Sequence, residues 1–333
     1  MASINLIAWD NGRGLTHDIR LFEETLRGLG HEVTVTRTPQ RAHGLPWRAW
    51  GQKLAMRLRW LVGKGPFRHD LGLTIEHVHP GYLGMSRRNA FIPHPEWMSR
   101  RDRRHLHRFD TVLCKTDSAM ETFGALGLRT AQIGFTSTDC QRQGIARDRA
   151  FLHLAGGSRM KGTERLLEVW RRHPEWPTLH LYQSPSVAAA DRPPAAPNLD
   201  HQVTFLGDIE DIRRLQNTHL FHLCLSEAEG WGHYIVEAMS CGAVVLATDG
   251  APMNELVTDE RGMRVAAHEN GTMNAATLWE FDEAALEACV ERIMRMPDDE
   301  ALALGGAARQ WFEDNQAAFP ARFGQAIDAL LAR

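Results

Sequence analysis

Short apolar runs rich in β-branched residues alternate with segments of helical period, and this alternation occurs twice along the chain. The first round opens with INLIAWD, a turn NGRG, and LTHDIRLFEETLRGLG, where Leu15, Ile19, Phe22, Leu26 and Leu29 recur at helical spacing. Gly30 supplies a helix stop, and HEVTVTRT is a β-branched strand. Parallel strands need a crossover helix, so this is one βαβ unit. Further strands are expected in LGLTIEHV, RNAFIPH, DTVLCK and AQIGF, with a helix over 117–127 capped by Asp117 or Ser118. The second round runs FLHLAGG, a helix over 162–172, PTLHLYQ, the proline-rich DRPPAAPNLD, VTFLG, a helix over 209–216 and LFHLCLS. It continues with a helix over 232–241, AVVLATD, a helix over 252–258 and MRVAA. The pattern predicts an α/β chain of two doubly wound Rossmann-like domains. Polar QRQGIARDRA marks the boundary, giving domains 1–148 and 149–310. The tail is helical from about residue 283, and FPARFGQAIDALLAR starts a separate helix at Pro320, inside a terminal segment 311–333.

At 333 residues the chain suits two domains. No apolar run approaches the ~20 residues of a membrane-spanning helix, and MASINLIAWD lacks the basic start of a secretion signal. Five scattered cysteines, with no C-x-x-C pair, fit a reducing compartment, so a cytoplasmic protein is expected. The net charge of −3 hides an asymmetry: residues 1–150 carry +9 and residues 151–333 carry −12. Such a contrast suggests an anionic partner for the first half, or two solvated surfaces of different composition. Residues 40–69 hold seven Lys/Arg and no acid, with Trp47, Trp50, Leu54, Leu58 and Leu61 at helical spacing. SRRDRRHLHR (99–108) adds five arginines. The basic segments 41–68 and 99–108 would suit an anionic membrane surface at the inner face or an anionic acceptor, and less well a nucleic acid. A helix packed on its own domain with solvated arginines is the third reading.

EGWGHYIVE (229–237) places a carboxylate on each side of a glycine turn that starts a helix. Gly230 and Gly232 flank Trp231 and allow close backbone approach, and the tip of the helix over 232–241, with His233 in its first turn, offers unpaired N–H groups to an anion. Glu237 on its own reads equally as a solvated residue pairing with His233 at i,i+4. In GGSRMKG, Gly157 gives a turn while Arg159 and Lys161 give cations before a helix. DNGRGLTHD reads G-x-G-x-x-H, so Gly12, Arg13 and Gly14 form a glycine turn without the third glycine of a dinucleotide site. Arg37 stands where a ribose-binding acid would end the second strand. IEHVHPGYL alternates Glu76 and Val78 with His77 and His79 on opposite faces of a strand; that spacing is common, and no metal is assigned. His94 in FIPHPEW is held between two prolines in extended backbone.

The segment 220–257, with GGSRMKG, VTFLGDIED (203–211) and LRGLGHEVTV (26–35) in the same order, resembles the retaining glycosyltransferases of the GT-B fold, in particular family 4. The E-x7-E pair would be Glu229 and Glu237. The resemblance implies two Rossmann-like domains facing a central cleft and a terminal helix crossing back to the first domain. It implies a nucleotide-sugar co-substrate (UDP- or GDP-sugar), no cofactor and no metal. Glu229 and His94 would lie by the transferred sugar, Lys161 and Arg159 would clamp the diphosphate, and Glu237 would accept from ribose hydroxyls. Gly12, Arg13, Gly14, Gly157, Gly230, Trp231, Gly232 and His233 would surround the donor. Arg159 departs from the family pattern, where the arginine stands about six residues before the lysine. The acceptor would be lipid-linked or a saccharide. An anionic polymer such as modified DNA, an epimerase of the same fold, and a non-catalytic binding module stay open.

Overall fold

The protein is described here by a computed structural model covering residues 1–10, 12, 14–38, 50, 51, 54, 55, 58, 67–188, 196–204 and 207–333. The chain divides into two compact units. The first takes Met1–Phe135 with Met273–Ala275 and Ala317–Arg333; the second takes Thr136–Thr272 and Ala276–Gln316. The division falls at 135/136, earlier than the polar stretch that suggested 148/149, because Thr136–Arg147 packs with the second unit.

In the first unit β1 (Ser3–Trp9), α1 (Gly14–Gly28), β2 (Glu32–Thr38), β3 (His69–Ile75), β4 (Ser86–Ile92) and α2 (Arg100–Arg103) are followed by β5 (Thr111–Cys114), α3 (Asp117–Gly124) and β6 (Thr130–Gln132). They build a parallel sheet in the order β2-β1-β3-β4-β5-β6. The α1 residues Leu15, Ile19, Phe22 and Leu26 are buried, as their spacing requires, while Leu29 is exposed beyond the helix end. Phe22 stacks on Phe135 at 4.6 Å between centroids and meets Phe319 and Phe323 at 6.2 and 5.2 Å, which is why the C-terminal residues count with this unit. Thr116, one residue before the two expected caps, takes the α3 amide of Ala119.

The second unit contains β7 (Asp148–Gly156), α4 (Thr163–Arg172), β8 (Leu179–Gln183), β9 (Leu199–Val203), α5 (Ile209–Thr218), β10 (His219–Cys224) and α6 (His233–Ser240). After these come β11 (Val244–Thr248), α7 (Met253–Leu256), β12 (Met263–Val265), β13 (Ala267–Met273), β14 (Ala276–Phe281), α8 (Glu283–Arg295) and α9 (Asp298–Leu331). The parallel sheet runs β12-β11-β10-β7-β8-β9. Its core packs Phe151, Trp170, Trp176 and Phe221, each worth roughly 2–3 kcal/mol of burial.

Two elements differ from the sequence expectation. β13 and β14 form a separate two-stranded sheet where no strand was expected. All five interior residues of β13 are exposed, so it carries no apolar alternation to read. The terminal helix does not restart at Pro320: α9 runs continuously with Pro320 inside it. A proline there removes one backbone hydrogen bond, and the buried Phe319, Phe323 and Ile327 on either side supply the packing that outweighs it. The basic segment 41–68 lies mostly outside the described residues; within it Trp50, Leu54 and Leu58 are exposed.

Three of the buried histidines are strongly held in the neutral form. His153 on β7 donates from Nδ1 to the Leu223 carbonyl (2.8 Å) and has Nε2 2.9 Å from the Thr163 hydroxyl. His222 on β10 donates to the Gln216 carbonyl (3.1 Å), and His79 meets Thr38 at 2.9 Å. Burial pushes His153 and His79 down to about 4 and His222 to about 3. As pH falls through 6.5 the unfolded chain takes up protons that these sites refuse, so stability is lost on acidification. At pH 5 each costs up to about 2 kcal/mol. His77 runs the other way, its pKa raised chiefly by its hydrogen bond to Asp102, so its contribution fades as pH rises. The melting temperature is therefore expected to drop between pH 7 and pH 5, and His222→Gln to flatten that slope. An equally steep slope in the variant would clear His222 of the effect.

Candidate functional site

In an open parallel sheet, ligands bind beyond the carboxyl ends of the strands where the chain order reverses, because the two following loops diverge and leave a crevice. In the second unit that point lies between β7 and β10. The loops leaving these strands are 157–162 and 225–232, the two segments singled out from the sequence. They are held together: the Glu227 amide donates to the Met160 carbonyl at 3.0 Å. Gly162 caps α4 at φ 64°, where a Cβ would stand 2.5 Å from the Leu225 carbonyl oxygen.

Lys161 and Glu229 form an ion pair at this point, with side chains 14% and 15% exposed. Ser226 Oγ donates to Glu229 Oε1 (2.6 Å) and lies 2.5 Å from the Tyr234 hydroxyl. With its own proton committed to Glu229, Ser226 accepts from Tyr234. Desolvation pushes the Tyr234 phenol well above its usual range, so it stays a donor. Its ring lies 3.4 Å from Lys161 Nζ, a cation–π contact that adds to the restraint on the ammonium. The sequence reading missed Ser226 and Tyr234, whose only signal was their position inside SEAEGWGHY.

Gly232 takes φ 107° immediately before α6 and brings no side chain of its own to cap that helix. A helix start turns its first amides outward, where an anion can meet them. Gly230 and Trp231 are buried in the turn, and His233 Nδ1 meets Ser137 Oγ at 2.6 Å. Glu237 Oε2 accepts from Arg213 (3.2 Å) and Gln216 (3.2 Å), both on α5. Oε1 keeps its acceptor capacity. Gly157 is exposed on the loop after β7. Arg159 is exposed on the rim of a cavity whose wall includes neither Lys161 nor Glu229, so the structure does not join it to the lysine cluster.

The first unit reverses between β1 and β3. After β1, Gly12 sits at φ 67° with its amide 3.5 Å from Asp10, whose other oxygen pairs with Arg37 at 2.9 Å. Hydrogen bonds from Thr16 and Arg37 hold the Asp10 carboxyl below its usual range. Gly14 opens α1, and Arg13 lies outside the described residues. His94, after β4, has its ring among charged groups: Nε2 lies 2.6 Å from Lys115 Nζ and 3.0 Å from Asp18, and Nδ1 lies 3.3 Å from Glu76 without a hydrogen bond. Lys115 also donates to Asp18 at 2.7 Å, and both are buried. Nor do His77 and His79 alternate on a strand. β3 stops at Ile75, and Glu76 turns the chain at φ 65°. His77 then faces Asp102 while His79 faces Thr38. Among the described residues no group of three metal-ligating side chains converges.

Residues 150–293 match the family described as Glycosyl transferases group 1. The lipopolysaccharide core biosynthesis mannosyltransferase LpcC of Rhizobium leguminosarum bv. viciae is 31% identical over 126 residues. That match spans 35% of this chain and only 36% of the relative. Among solved structures, sucrose-phosphate synthase of Thermosynechococcus elongatus is similar over 100% of both chains (TM-score 0.67, 15% identity). HepE of Anabaena, solved with UDP-glucose, is similar over 99% of this chain and 100% of its own (TM-score 0.68, 14% identity). A glycosyltransferase of Rickettsia africae ESF-5 is similar over 99% and 98% (TM-score 0.68, 12% identity). At these identities the likeness concerns the fold, which is of the GT-B class.

The two loops at the second unit's reversal can approach only because residue 162 has no Cβ. Gly162→Ala is expected to lower stability by about 2 kcal/mol or more, from left-handed strain plus the clash. Gly156→Ala, also at positive φ (54°) but with nothing within 4 Å, should show the strain alone, about 1 kcal/mol. Thermal denaturation of both variants isolates the clash; equal losses would refute it.

Proposed function

We propose that the protein is a retaining glycosyltransferase that moves a hexosyl group from a UDP- or GDP-sugar to a hydroxyl of a saccharide or lipid-linked acceptor. The observation that carries this reading is the meeting of Lys161, Glu229 and the start of α6 at the chain reversal, with Glu237 Oε1 open one turn further on. The diphosphate of the donor would take the α6 amides and draw the Lys161 ammonium away from Glu229, freeing that carboxylate for sugar hydroxyls. Glu237 would accept from the ribose.

In the transfer, the bond from the anomeric carbon to the phosphate oxygen breaks and a bond to the acceptor oxygen forms on the same face. The acceptor's proton passes to the departing phosphate oxygen, so no side chain is needed as nucleophile. Charge builds on the diphosphate as that bond opens, and a cation fixed beside it stabilises the transition state more than the ground state. Matches to a mannosyltransferase and to a protein solved with UDP-glucose support a hexosyl donor. A membrane-adjacent acceptor is favoured by Trp50, Leu54 and Leu58, which expose apolar side chains at four-residue spacing within a basic stretch.

Thermal stabilisation by a panel of UDP-, GDP- and ADP-sugars identifies the donor, since a ligand of the folded state raises the melting point. Lys161→Ala is expected to lower kcat at least ~100-fold, the scale of losing one transition-state donor. Glu237→Ala is expected to weaken donor binding about tenfold by titration calorimetry, the loss of ~1.4 kcal/mol. Stabilisation by no nucleotide sugar, or normal turnover without Lys161, would remove this reading.

A further inference from the structure

The second unit contains a cavity of about 720 Å³ that the transfer chemistry leaves unused. It opens beside the start of α4 and is walled by β14. Its volume lies well inside the range of small-molecule sites.

Trp279 forms an aromatic wall fixed at three points. Its amide donates to the Glu227 carbonyl (2.8 Å), its Nε1 donates to the Ala251 carbonyl (3.0 Å), and its ring lies against Gly250. A Cβ on Gly250 would sit 2.2 Å from Cδ2 of the indole, so only glycine lets the ring lie there. One face is thus committed to Gly250, and the half-buried ring lines the cavity with the rest of its surface. An aromatic surface held this rigidly needs no ordering when a ligand stacks on it.

The polar groups around it are of two kinds. Arg165 is ion-paired with Glu280 (2.7 Å) and Glu283 (3.3 Å). Glu227, Glu168 and Arg159 also line the cavity, and among the described residues none of them meets a side-chain hydrogen-bond or ion-pair partner. Burial, then the neighbouring Glu280, raises the Glu227 pKa, as expected of a carboxyl lacking a cation. Four glutamates (Glu164, Glu168, Glu227, Glu280) against two arginines make the wall net negative, which disfavours phosphates and polyanions. Hydrogen-bonding capacity without a call for opposite charge, beside a fixed indole, matches a ligand with many hydroxyls and an apolar ring face.

We propose that this cavity is a saccharide-binding subsite. A neutral sugar ring stacks on Trp279, gives hydroxyl hydrogen bonds to Glu227 and Glu168, and accepts from Arg159. Because Glu227 follows Ser226 and its amide bonds to the residue before Lys161, the cavity borders the Lys161–Glu229 site. That the bound saccharide is the acceptor rests on the proposed transferase function; that the cavity takes a saccharide does not.

Saturation-transfer NMR on the full chain, with methyl α-mannoside, α-1,3-mannobiose and cellobiose as probes, tests the inference without turnover. At least one sugar is expected to bind, with UDP at saturation failing to displace it. Glu227→Ala and Glu168→Ala should each weaken binding several-fold, and Trp279→Leu about tenfold or more, each variant checked for native circular dichroism. Glu168 is exposed on α4, so its variant stays informative if Trp279→Leu does not fold. Binding by none of the three sugars, or equal binding by both glutamate variants, overturns the proposal. Displacement of the sugar by UDP overturns it too, by giving the cavity to the nucleotide. UDP-sugar turnover with no saccharide binding would sink this inference and leave the transferase standing. Saccharide binding with no nucleotide-sugar binding would do the reverse.

Discussion

An ammonium withdrawn from water must meet an anion, and in the second unit Lys161 meets Glu229. That pair joins loops from two strands that are neighbours in the sheet but about seventy residues apart in the chain, so it can exist only where the order reverses. Buried ion pairs return little net stability, because desolvation offsets most of their attraction. What the pair provides is geometry. It holds a cation and a carboxylate side by side. Ser226 and Tyr234 complete the arrangement by filling the remaining acceptor and donor capacity. Gly162 makes it sterically allowed.

The first unit concentrates charge at the same place by different means. Asp18, Glu76, His94 and Lys115 come from the segments after β1, β3, β4 and β5, all at the carboxyl edge of the sheet. Lys115 Nζ and the Asp18 carboxylate both lie within hydrogen-bond distance of His94 Nε2, and Glu76 faces the other side of the imidazole at 3.3 Å. Glu76 reaches it by adopting left-handed backbone, a conformation that costs about 1 kcal/mol for a residue with a Cβ. A charged cluster of this kind specifies the shape of a strand edge more than it strengthens the fold.

Those differences mark what a sequence can carry. Parallel strands and their crossover helices were legible because burial on both faces leaves continuous apolar runs such as VVLAT and HLFHLC, and helices leave a 3.6-residue period. The glycine turns around Gly157 and Gly232 were legible because positive φ, taken at Gly156 and Gly232, favours glycine. The partners of Lys161 and His94 were not, since a hydrogen bond between residues 68 or 76 positions apart leaves no local trace. Arg159 shows the same limit: standing two residues before Lys161 says nothing of the direction in which a loop turns its side chain. Leu29 fits the helical period, yet it lies past the last turn of α1 and is exposed.

The hairpin β13–β14 shows how a feature invisible in its own residues can be written elsewhere. β13 is polar and exposed throughout its interior, so neither period nor composition marks it as a strand. Its structural mark lies at Gly250, in the loop after β11, where the absence of a Cβ admits the Trp279 ring. The indole ties that loop through Ala251, and the Trp279 backbone amide ties the loop after β10 through Glu227. One small residue therefore sets the position of the aromatic wall and of the loop that the indole holds. Any larger side chain at 250 must displace the ring, and with it the hydrogen bond to the Ala251 carbonyl. The shape of the cavity thus depends on this glycine, while the tie to Glu227 runs through backbone alone.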